Sequence, residues 1–284
     1  MLERLAGNDA LKRELGTALH SGRLPHAVLL VGEPGCGAGF AARCLAADYL
    51  YPAGGPHAEA VLKGEDTECL VLRGEGASGQ IPVKRVREAR EAIQRSALST
   101  DAAGRVLFIY GAQNLNGTQG SSANALLKII EEPPEGVLFL LTAPSAAVVL
   151  PTIRSRCAAY TIAPVPVADC AAHLRAERLP AAAAGELAFL YEGHIGTALK
   201  SWNDPPTKAA LGMAKTLCGY AAQGDTYRAL ALLTKYERDK EGFAALLWQL
   251  DQLCSAVLRR PAYGQEQCGG LTPEGAAKIL RADA

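Results

Sequence analysis

The sequence lacks an excess of charge of either sign. Its 284 residues include 29 Lys and Arg against 29 Asp and Glu, so the formal net charge is zero. This balance excludes a chain that coats nucleic acid by bulk electrostatics, although it is compatible with a local basic face. Hydrophobic residues make up 49% and charged residues 20%, which is typical of soluble globular proteins and excludes wholesale disorder. The length predicts two or three domains.

Long hydrophobic runs are also missing. The longest apolar stretches, at 27–31 and 137–142, are far shorter than the roughly 20 residues that cross a bilayer. The N-terminal sequence MLERLAGNDALKREL is charged throughout and has no apolar signal-peptide core. We therefore expect a cytoplasmic protein.

The eight cysteines lack the close pairing of a metal site, because no two of them stand in a CxxC arrangement. A cytoplasmic protein of this length does not need disulfides. We therefore expect most of these thiols to be small buried hydrophobes.

Over the first two-thirds of the chain, short apolar runs alternate with segments of helical periodicity. Strands are expected at 26–31, 69–72, 105–109 and 136–142. Helices are expected at 2–20, 40–50, 83–98 and 121–132, with a connector at 52–67. Strands that are apolar on both faces and separated by helices predict an α/β fold, with a parallel sheet covered by helices on both faces.

After Pro166 the pattern predicts helices alone. They are expected at 168–177, 180–192, 196–202, 207–222, 226–236, 242–258 and 272–281, with a linker at 204–206. The apolar core of the last part is expected to come from leucines at helical spacing: Leu211, Leu217, Leu230, Leu233, Leu246, Leu247 and Leu250. The predicted domains are therefore 1–163 (α/β), 164–203 (small and helical) and 204–284 (helical).

A glycine-rich segment after the first strand lacks the lysine and the hydroxyl of a phosphate-binding P-loop. In the pattern GxxxxGK[ST], Gly32, Gly35 and Gly37 are in place, but Ala38 stands at the lysine position and Gly39 at the Ser/Thr position. The lysine supplies positive charge to the β- and γ-phosphates, and the hydroxyl helps to hold Mg²⁺. The remaining backbone N–H groups can still attract an anion. Taken alone, the segment is equally compatible with a simple turn.

The acidic motif of a P-loop ATPase is missing as well. In such enzymes a strand like 106–109 ends in an Asp that helps to hold Mg²⁺, and some add a Glu that orients the attacking water. Tyr110 and Gly111 occupy these positions. Two independent parts of the ATP chemistry are absent, which argues against a catalytic ATPase.

Three segments carry a family resemblance. Residues 123–134 (ANALLKIIEEPP) resemble the NALLKxLEEPP helix of bacterial clamp-loader AAA+ subunits, and 150–157 (LPTIRSRC) resemble their LPxTIxSRC segment. Pro25-His26-Ala27 before the first strand is also similar to that family. With the glycine-rich segment, these motifs cover roughly residues 20–160 in the expected order.

The departures from the motifs favour one branch of this family. Ala38, Gly39, Tyr110 and Gly111 are changes typical of the ATPase-deficient delta-prime branch, whereas gamma/tau subunits keep the lysine and the acidic pair. The resemblance implies an AAA+ P-loop-type parallel sheet, a helical lid at 164–203 and an all-α collar at 204–284. It implies gamma/tau and delta subunits as partners in a ring, with the sliding clamp and primer–template DNA reached through the complex.

The resemblance also assigns residues. Arg156 of the Ser-Arg-Cys motif would be an arginine finger that acts on the ATP site of a neighbouring subunit, with Ser155 and Cys157 positioning it. The alternative for Arg156 is a surface or fold-stabilising ion pair. The family's sensor-2 arginine is replaced by Gly196. No ATP or Mg²⁺ is expected at the chain's own site.

A zinc module, which many delta-prime relatives carry, is not expected either. The stretch from Cys44 to Cys69 offers those two thiols and His57 as its candidate ligands, which makes three, whereas tetrahedral zinc normally takes four. His57 is expected to be a solvated loop residue.

A basic run lies on the helix predicted at 83–98. Lys84, Arg85, Arg87 and Arg90, together with Arg95, stand against two acids on that helix, and they are candidates for contacts with DNA phosphates. The alternative is a solvated face with i,i+3 and i,i+4 ion pairs.

The function predicted on these grounds is that of a non-catalytic clamp-loader subunit in DNA replication. Two alternatives stay open: a catalytically active gamma/tau-like AAA+ ATPase, and an AAA+-like scaffold outside replication.

Overall fold

The strands of the first part of the chain form one parallel sheet. The computed structural model describes residues 1–76, 78–94, 99, 101–115 and 121–263, with side chains up to residue 259. The sheet has the strand order β2-β3-β4-β1-β5. Its strands are β1 (Ala27–Val31), β2 (Cys69–Arg73), β3 (Arg105–Tyr110), β4 (Val137–Ala143) and β5 (Ala158–Thr161). Every neighbouring pair is parallel, as the sequence predicted.

The central strands are buried on both faces, which explains why nearly all of their residues are apolar. All residues of β1 and β4 are buried. Because successive side chains point to opposite faces, Leu30 and Leu140 join one apolar cluster, whereas Leu29 and Leu141 join another. Helices therefore cover both faces of the sheet, in agreement with the predicted fold class.

Helices fill the connections between the strands. In the first part of the chain they are α1 (Asp9–His20), α2 (Ala38–Leu50), α3 (Pro56–Lys63), α4 (Val83–Ile93), α5 (Ser121–Glu131) and α6 (Pro151–Arg154). Short 3-10 helices occur at Leu2–Arg4, Ala112–Leu115 and Ala146–Val148. The first cluster contains residues of α1, α2 and α3, and the second contains residues of α4, α5 and α6.

Three sequence expectations for this part are wrong. The helix expected at 2–20 is broken, because Gly7 and Asn8 have φ of 57° and 53°, which a right-handed helix does not allow. The connector expected at 52–67 contains α3, which begins at Pro56 and ends before the left-handed Gly64. The edge strand β5 was not predicted. Its alternately half-buried and exposed residues lack the apolar signal of the central strands.

A buried ion pair joins the amino-terminal ends of two strands. Arg105 Nε lies 3.1 Å from Oε2 of Glu68, and both side chains are almost fully buried. Arg105 also donates to the carbonyl of Ala92 at the end of α4, and Glu68 Oε1 accepts from the backbone N–H of Ser99. These hydrogen bonds satisfy charges that would otherwise be costly to bury.

The second part of the chain is helical in the residues that the structure describes. The chain divides into two compact units, Met1–Ala163 and Pro164–Ala284. The helices of the second unit are α7 (Val167–Ala176), α8 (Ala181–Leu190), α9 (Ile195–Asn203), α10 (Pro205–Gln223), α11 (Thr226–Leu233) and α12 (Lys240–Tyr263), with a 3-10 helix at Thr234–Tyr236. The separation of a lid from a collar near residue 204 stays a prediction.

Two expectations for the second unit are wrong. The segment 204–206 is no linker, because Asp204 accepts a hydrogen bond from Thr207 N–H at 3.1 Å as the N-cap of α10, whose first turn holds both prolines. Of the expected core leucines, Leu211 and Leu246 are buried, but Leu230 and Leu247 are 60% and 49% exposed. The helix expected at 272–281 lies outside the described residues.

No described helix combines the length and the apolar character that a membrane span requires.

Gly193 offers a test of packing in the second unit. It has φ of 80°, and a Cβ placed on it would lie 1.7 Å from the carbonyl oxygen of Val165. We expect Gly193→Ala to lower the free energy of unfolding by about 1–3 kcal/mol through backbone strain, with roughly 1–3 kcal/mol more from the displaced carbonyl. Urea unfolding of the full chain measures the loss.

Gly224→Ala is the matched control, because Gly224 has φ of 74° but open space around its Cβ position. Equal losses in the two variants would show that the contact with Val165 contributes nothing.

Candidate functional site

The glycine-rich loop joins β1 to α2 at the carboxyl end of the sheet. Gly32 N–H donates to the carbonyl of Ala143 at 3.0 Å, and a Cβ on Gly32 would lie 2.8 Å from the carbonyl oxygen of Ile162. Gly35 and Gly37 have φ of 95° and 100°, and Gly37 is the N-cap of α2. The three glycines of the P-loop pattern are thus required by the backbone itself.

An aromatic side chain packs against the first turn of α2. Tyr110 is the last residue of β3, and its Cε1 lies 3.3 Å from where a Cβ of Gly39 would be. The Tyr110 ring stacks on Phe108 with 5.6 Å between ring centroids. Arg73, its register partner on β2, places its guanidinium carbon 4.6 Å from the ring centroid. A cation–π contact and a stacked pair therefore hold Tyr110 beside the loop.

Gly111 has a conformation that disfavours any side chain. Its φ is 79°, its N–H donates to Thr142 Oγ1 at 3.2 Å, and a Cβ there would lie 2.8 Å from Nδ2 of Asn114. A glutamate at this position would be strained. With Ala38, Gly39 and Tyr110 at the other positions, these residues lack the lysine ammonium, the Ser/Thr hydroxyl and the carboxylates that hold a magnesium–nucleotide, and the loop does not fit that ligand.

Arg156 lies in the turn between α6 and β5. Its Nη1 donates to the carbonyl of Thr152 at 3.0 Å and to Ser155 Oγ at 3.4 Å, and its Nη2 lies 2.6 Å from Oε1 of Glu131. Its side chain is 39% exposed. The ion pair that the sequence left open as an alternative is therefore present, on a side chain that still reaches solvent.

Ser155 and Cys157, on either side of Arg156, stabilise the turn. Ser155 Oγ donates to the carbonyl of Thr152 at 3.1 Å, and Cys157 packs against the apolar cluster on one face of the sheet. Burial raises the pKa of the Cys157 thiol to about 11, so the group is neutral at pH 7 and is suited to packing.

The basic run on α4 divides into paired and unpaired cations. Arg85 is paired with Glu75 at 3.0 Å and with Glu88 at 3.3 Å, and Lys84 lies 3.9 Å from Glu88. Arg87 and Arg90 are exposed one helical turn apart, and within the described ranges neither has an ion-pair partner. Arg95 lies outside the described residues.

The region between Cys44 and Cys69 combines apolar packing with a buried carboxylate. Cys44 and Tyr51 lie in the first apolar cluster, and Asp66 accepts a hydrogen bond from the Tyr51 hydroxyl at 3.0 Å. Burial raises the pKa of both thiols to about 12, so both groups are neutral at pH 7. His57 lies on α3 rather than in the expected loop, is 59% exposed, and stacks on Tyr51 at 5.3 Å. No group of three or more metal-ligating side chains occurs in the part of the chain that the structure describes.

The structure also identifies residues that sequence reasoning missed. Arg73 and Glu131 are the charged partners of Tyr110 and Arg156, and neither was singled out as a site residue. The available signal was the position of Glu131 within the EEPP end of a family motif.

Gly196, at the position of the family's sensor-2 arginine, lies in the first turn of α9 and has no side chain that could make that arginine's contact with a nucleotide.

The contact between Tyr110 and Gly39 is testable by a double-mutant cycle. We expect Gly39→Ser to lower the free energy of unfolding by about 1 kcal/mol, because the ring must move, and Tyr110→Ala to remove about that penalty. Chemical denaturation of the two single variants and the double variant measures the coupling. Gly16→Ser is the control, since Gly16 is a helical glycine with open space around its Cβ position. Additive effects at 39 and 110 would contradict the contact.

Comparisons with known proteins agree with the motifs. The family model described as DNA polymerase III, delta subunit matches residues 7–166. DNA polymerase III subunit gamma/tau of Mycobacterium tuberculosis is 36% identical over 160 residues, which are 54% of this chain and 27% of that protein. DNA polymerase III subunit delta' of Escherichia coli is 29% identical over 203 residues, which are 71% of this chain and 58% of that protein. The matched part of the chain thus spans about a quarter of the length of the gamma/tau relative and about six-tenths of the length of the delta' relative.

Solved structures agree on the fold. A gamma-subunit-related protein of DNA polymerase III from Thermotoga maritima has a TM-score of 0.52 at 16% identity, covering 95% of this chain and 97% of that chain. A variant of Thermotoga maritima RuvB has a TM-score of 0.50 at 18% identity, covering 99% of this chain and 84% of that chain. The fold is the α/β AAA+ fold. With a family model matched over more than half of its length, the chain belongs to the DNA polymerase III delta-subunit family of clamp-loader subunits.

Proposed function

We propose that this chain is the non-catalytic, delta-prime-type subunit of the clamp loader of the replicative DNA polymerase III. In this proposal it supplies Arg156 in trans to the ATP site of a neighbouring gamma/tau subunit. The observation that carries the proposal is the Tyr110 ring packed beside Gly39, at the place where an ATPase needs an acid and a hydroxyl.

The chain's own loop is unsuited to phosphoryl transfer for an electrostatic reason. Catalysis of this transfer is almost entirely positioning and stabilisation of charge on the phosphoryl oxygens. Ala38 and Gly39 offer no charge or metal ligand, and Tyr110 is engaged with Phe108 and Arg73. Neither ATP nor Mg²⁺ is part of the proposed role of this loop.

Arg156 suits the role of an arginine finger. A guanidinium stays charged at every physiological pH and makes forked hydrogen bonds to phosphate oxygens. The side chain is partly exposed and stands on a turn whose neighbours are fixed by hydrogen bonding and packing. In a neighbouring site it would stabilise the charge that spreads over the γ-phosphoryl oxygens in the transition state.

The proposed partners are gamma/tau and delta subunits in a hetero-oligomer, with the sliding clamp and primer–template DNA engaged through the complex in the cytoplasm. Among the basic residues of α4, Arg87 and Arg90 are the better candidates for phosphate contacts, because neither has an ion-pair partner among the described residues, and Lys84 lies beside them. Arg85 is the weaker candidate, because two carboxylates already neutralise it.

A gamma/tau-like ATPase is the competing function, since the identity to that subunit reaches 36%. It predicts nucleotide binding by the isolated chain. We expect a calorimetric titration with Mg-ATP to detect no binding tighter than about 1 mM, because the loop lacks its lysine and hydroxyl. A gamma/tau subunit titrated in the same buffer is the positive control. Micromolar affinity of this chain for ATP would favour the competing function.

Removal of the finger tests the proposed role. We expect Arg156→Ala to leave the fold and the complex intact and to lower turnover at the one ATP site it serves by about 10³-fold or more. The total turnover of the reconstituted complex then loses the share of that site. The measurement is ATP hydrolysis stimulated by clamp and primed DNA.

Arg154→Ala is the matched control, because Arg154 is an exposed arginine at the end of α6, two residues from Arg156, and among the described residues its side chain donates to the carbonyl of Ala146 alone. Equal rates of ATP hydrolysis in complexes with wild type and with Arg156→Ala would show that Arg156 has no role at the neighbouring ATP site. Failure to assemble with gamma/tau and delta would instead favour a scaffold outside replication.

A further inference from the structure

The guanidinium of Arg156 forms an ion pair with a carboxylate on helix α5. Glu131 is the last residue of α5, and its Oε1 lies 2.6 Å from Nη2 of Arg156. On the other nitrogen, Nη1 donates to Thr152 and Ser155. We propose that Glu131 is a positioning residue for Arg156: it fixes the guanidinium in the orientation in which it meets the neighbour's triphosphate. This inference rests on the proposed function.

The backbone beneath Glu131 is fixed independently. Ile129 and Ile130 are buried in the core, and the α-helix ends at Glu131 because Pro133 and Pro134 follow. His26, one residue before β1, has Nε2 2.9 Å from the carbonyl oxygen of Ile130. Since a carbonyl only accepts, Nε2 carries the proton. This contact ties the last turn of α5 to the start of β1.

The three contacts leave the guanidinium with N–H donors for a phosphate ligand. Arginine has five N–H donors, and the bonds to Thr152, Ser155 and Glu131 use at most three of them. Among the contacts with described residues, at least two donors stay available for phosphate oxygens. A flexible arginine would lose rotamer freedom when it engages a ligand, whereas one held in place has already lost it.

Stability does not account for the pair. Both side chains are about two-fifths exposed, and ion pairs this exposed to water contribute little to folding. The opposite role is also conceivable in chemical terms, with the carboxylate competing against the triphosphate for the arginine. The two roles predict opposite changes in turnover when the charge of Glu131 is removed, so one experiment separates them.

The experiment compares Glu131→Gln with Glu132→Gln in the complex reconstituted with gamma/tau and delta. Glu132 is the adjacent exposed glutamate and serves as the matched control. The quantity measured is the Arg156-dependent turnover, which is the part of the clamp- and DNA-stimulated ATP hydrolysis that Arg156→Ala removes. We expect Glu131→Gln to lower this part about tenfold in kcat, with KM for ATP unchanged, and Glu132→Gln to leave it unchanged.

Two further variants exclude a merely structural effect. Glu131→Gln added to Arg156→Ala is expected to cause no further loss, because the carboxylate acts only through the arginine. Glu131→Asp, which keeps the charge on a shorter side chain, is expected to recover part of the turnover. The melting temperature of each variant is expected to stay within about 2 °C of wild type.

The outcomes separate the two proposals. If Arg156→Ala lowers turnover while Glu131→Gln behaves like wild type, or raises turnover, the positioning role is overturned and the finger stands. A further loss from Glu131→Gln in the Arg156→Ala background also overturns the positioning role. If Arg156→Ala changes nothing, the proposed function fails, and the positioning role fails with it.

Discussion

Burial of the central strands on both faces is the constraint from which the geometry of the first unit follows. β1, β3 and β4 are parallel neighbours, so their carboxyl ends lie at one edge of the sheet, where open α/β folds place their ligand sites. The glycine-rich loop, Tyr110 and Thr142 all stand at this edge. Because apolar contacts on both faces determine the sheet, the side chains at its edge can change without loss of the fold.

At this edge of the sheet, aromatic packing occupies the place where a P-loop ATPase has the polar groups of its magnesium–nucleotide site. A magnesium–nucleotide site needs polar groups directed at a hydrated ligand, but here Tyr110 stacks on Phe108 and lies under the Arg73 guanidinium. The left-handed Gly111 removes a second side chain from the same edge. Arg156 stands on a separate turn, where its guanidinium has carboxylate and carbonyl partners.

Local patterns predicted the elements that have a clear apolar run or a clear helical spacing. The strands β1, β3 and β4 and the helices α2 and α5 follow directly from apolar runs and helical spacing. Two elements with weaker apolar signals were missed. β5 alternates between half-buried and exposed residues, and α3 lies within a stretch rich in glycine and proline. The exposed Leu230 and Leu247 have the same helical spacing as buried leucines, because periodicity identifies a face but not what covers it.

The sequence by itself determined the parallel α/β fold, the positions of the three loop glycines and the loss of the lysine, the hydroxyl and the acids. These are properties of single residues and of their nearest neighbours along the chain. Only the tertiary structure decided which side chains meet: Tyr110 with Gly39 and Arg73, and Arg156 with Glu131. Such contacts join residues from different elements, and they depend on strand order and helix packing rather than on local spacing.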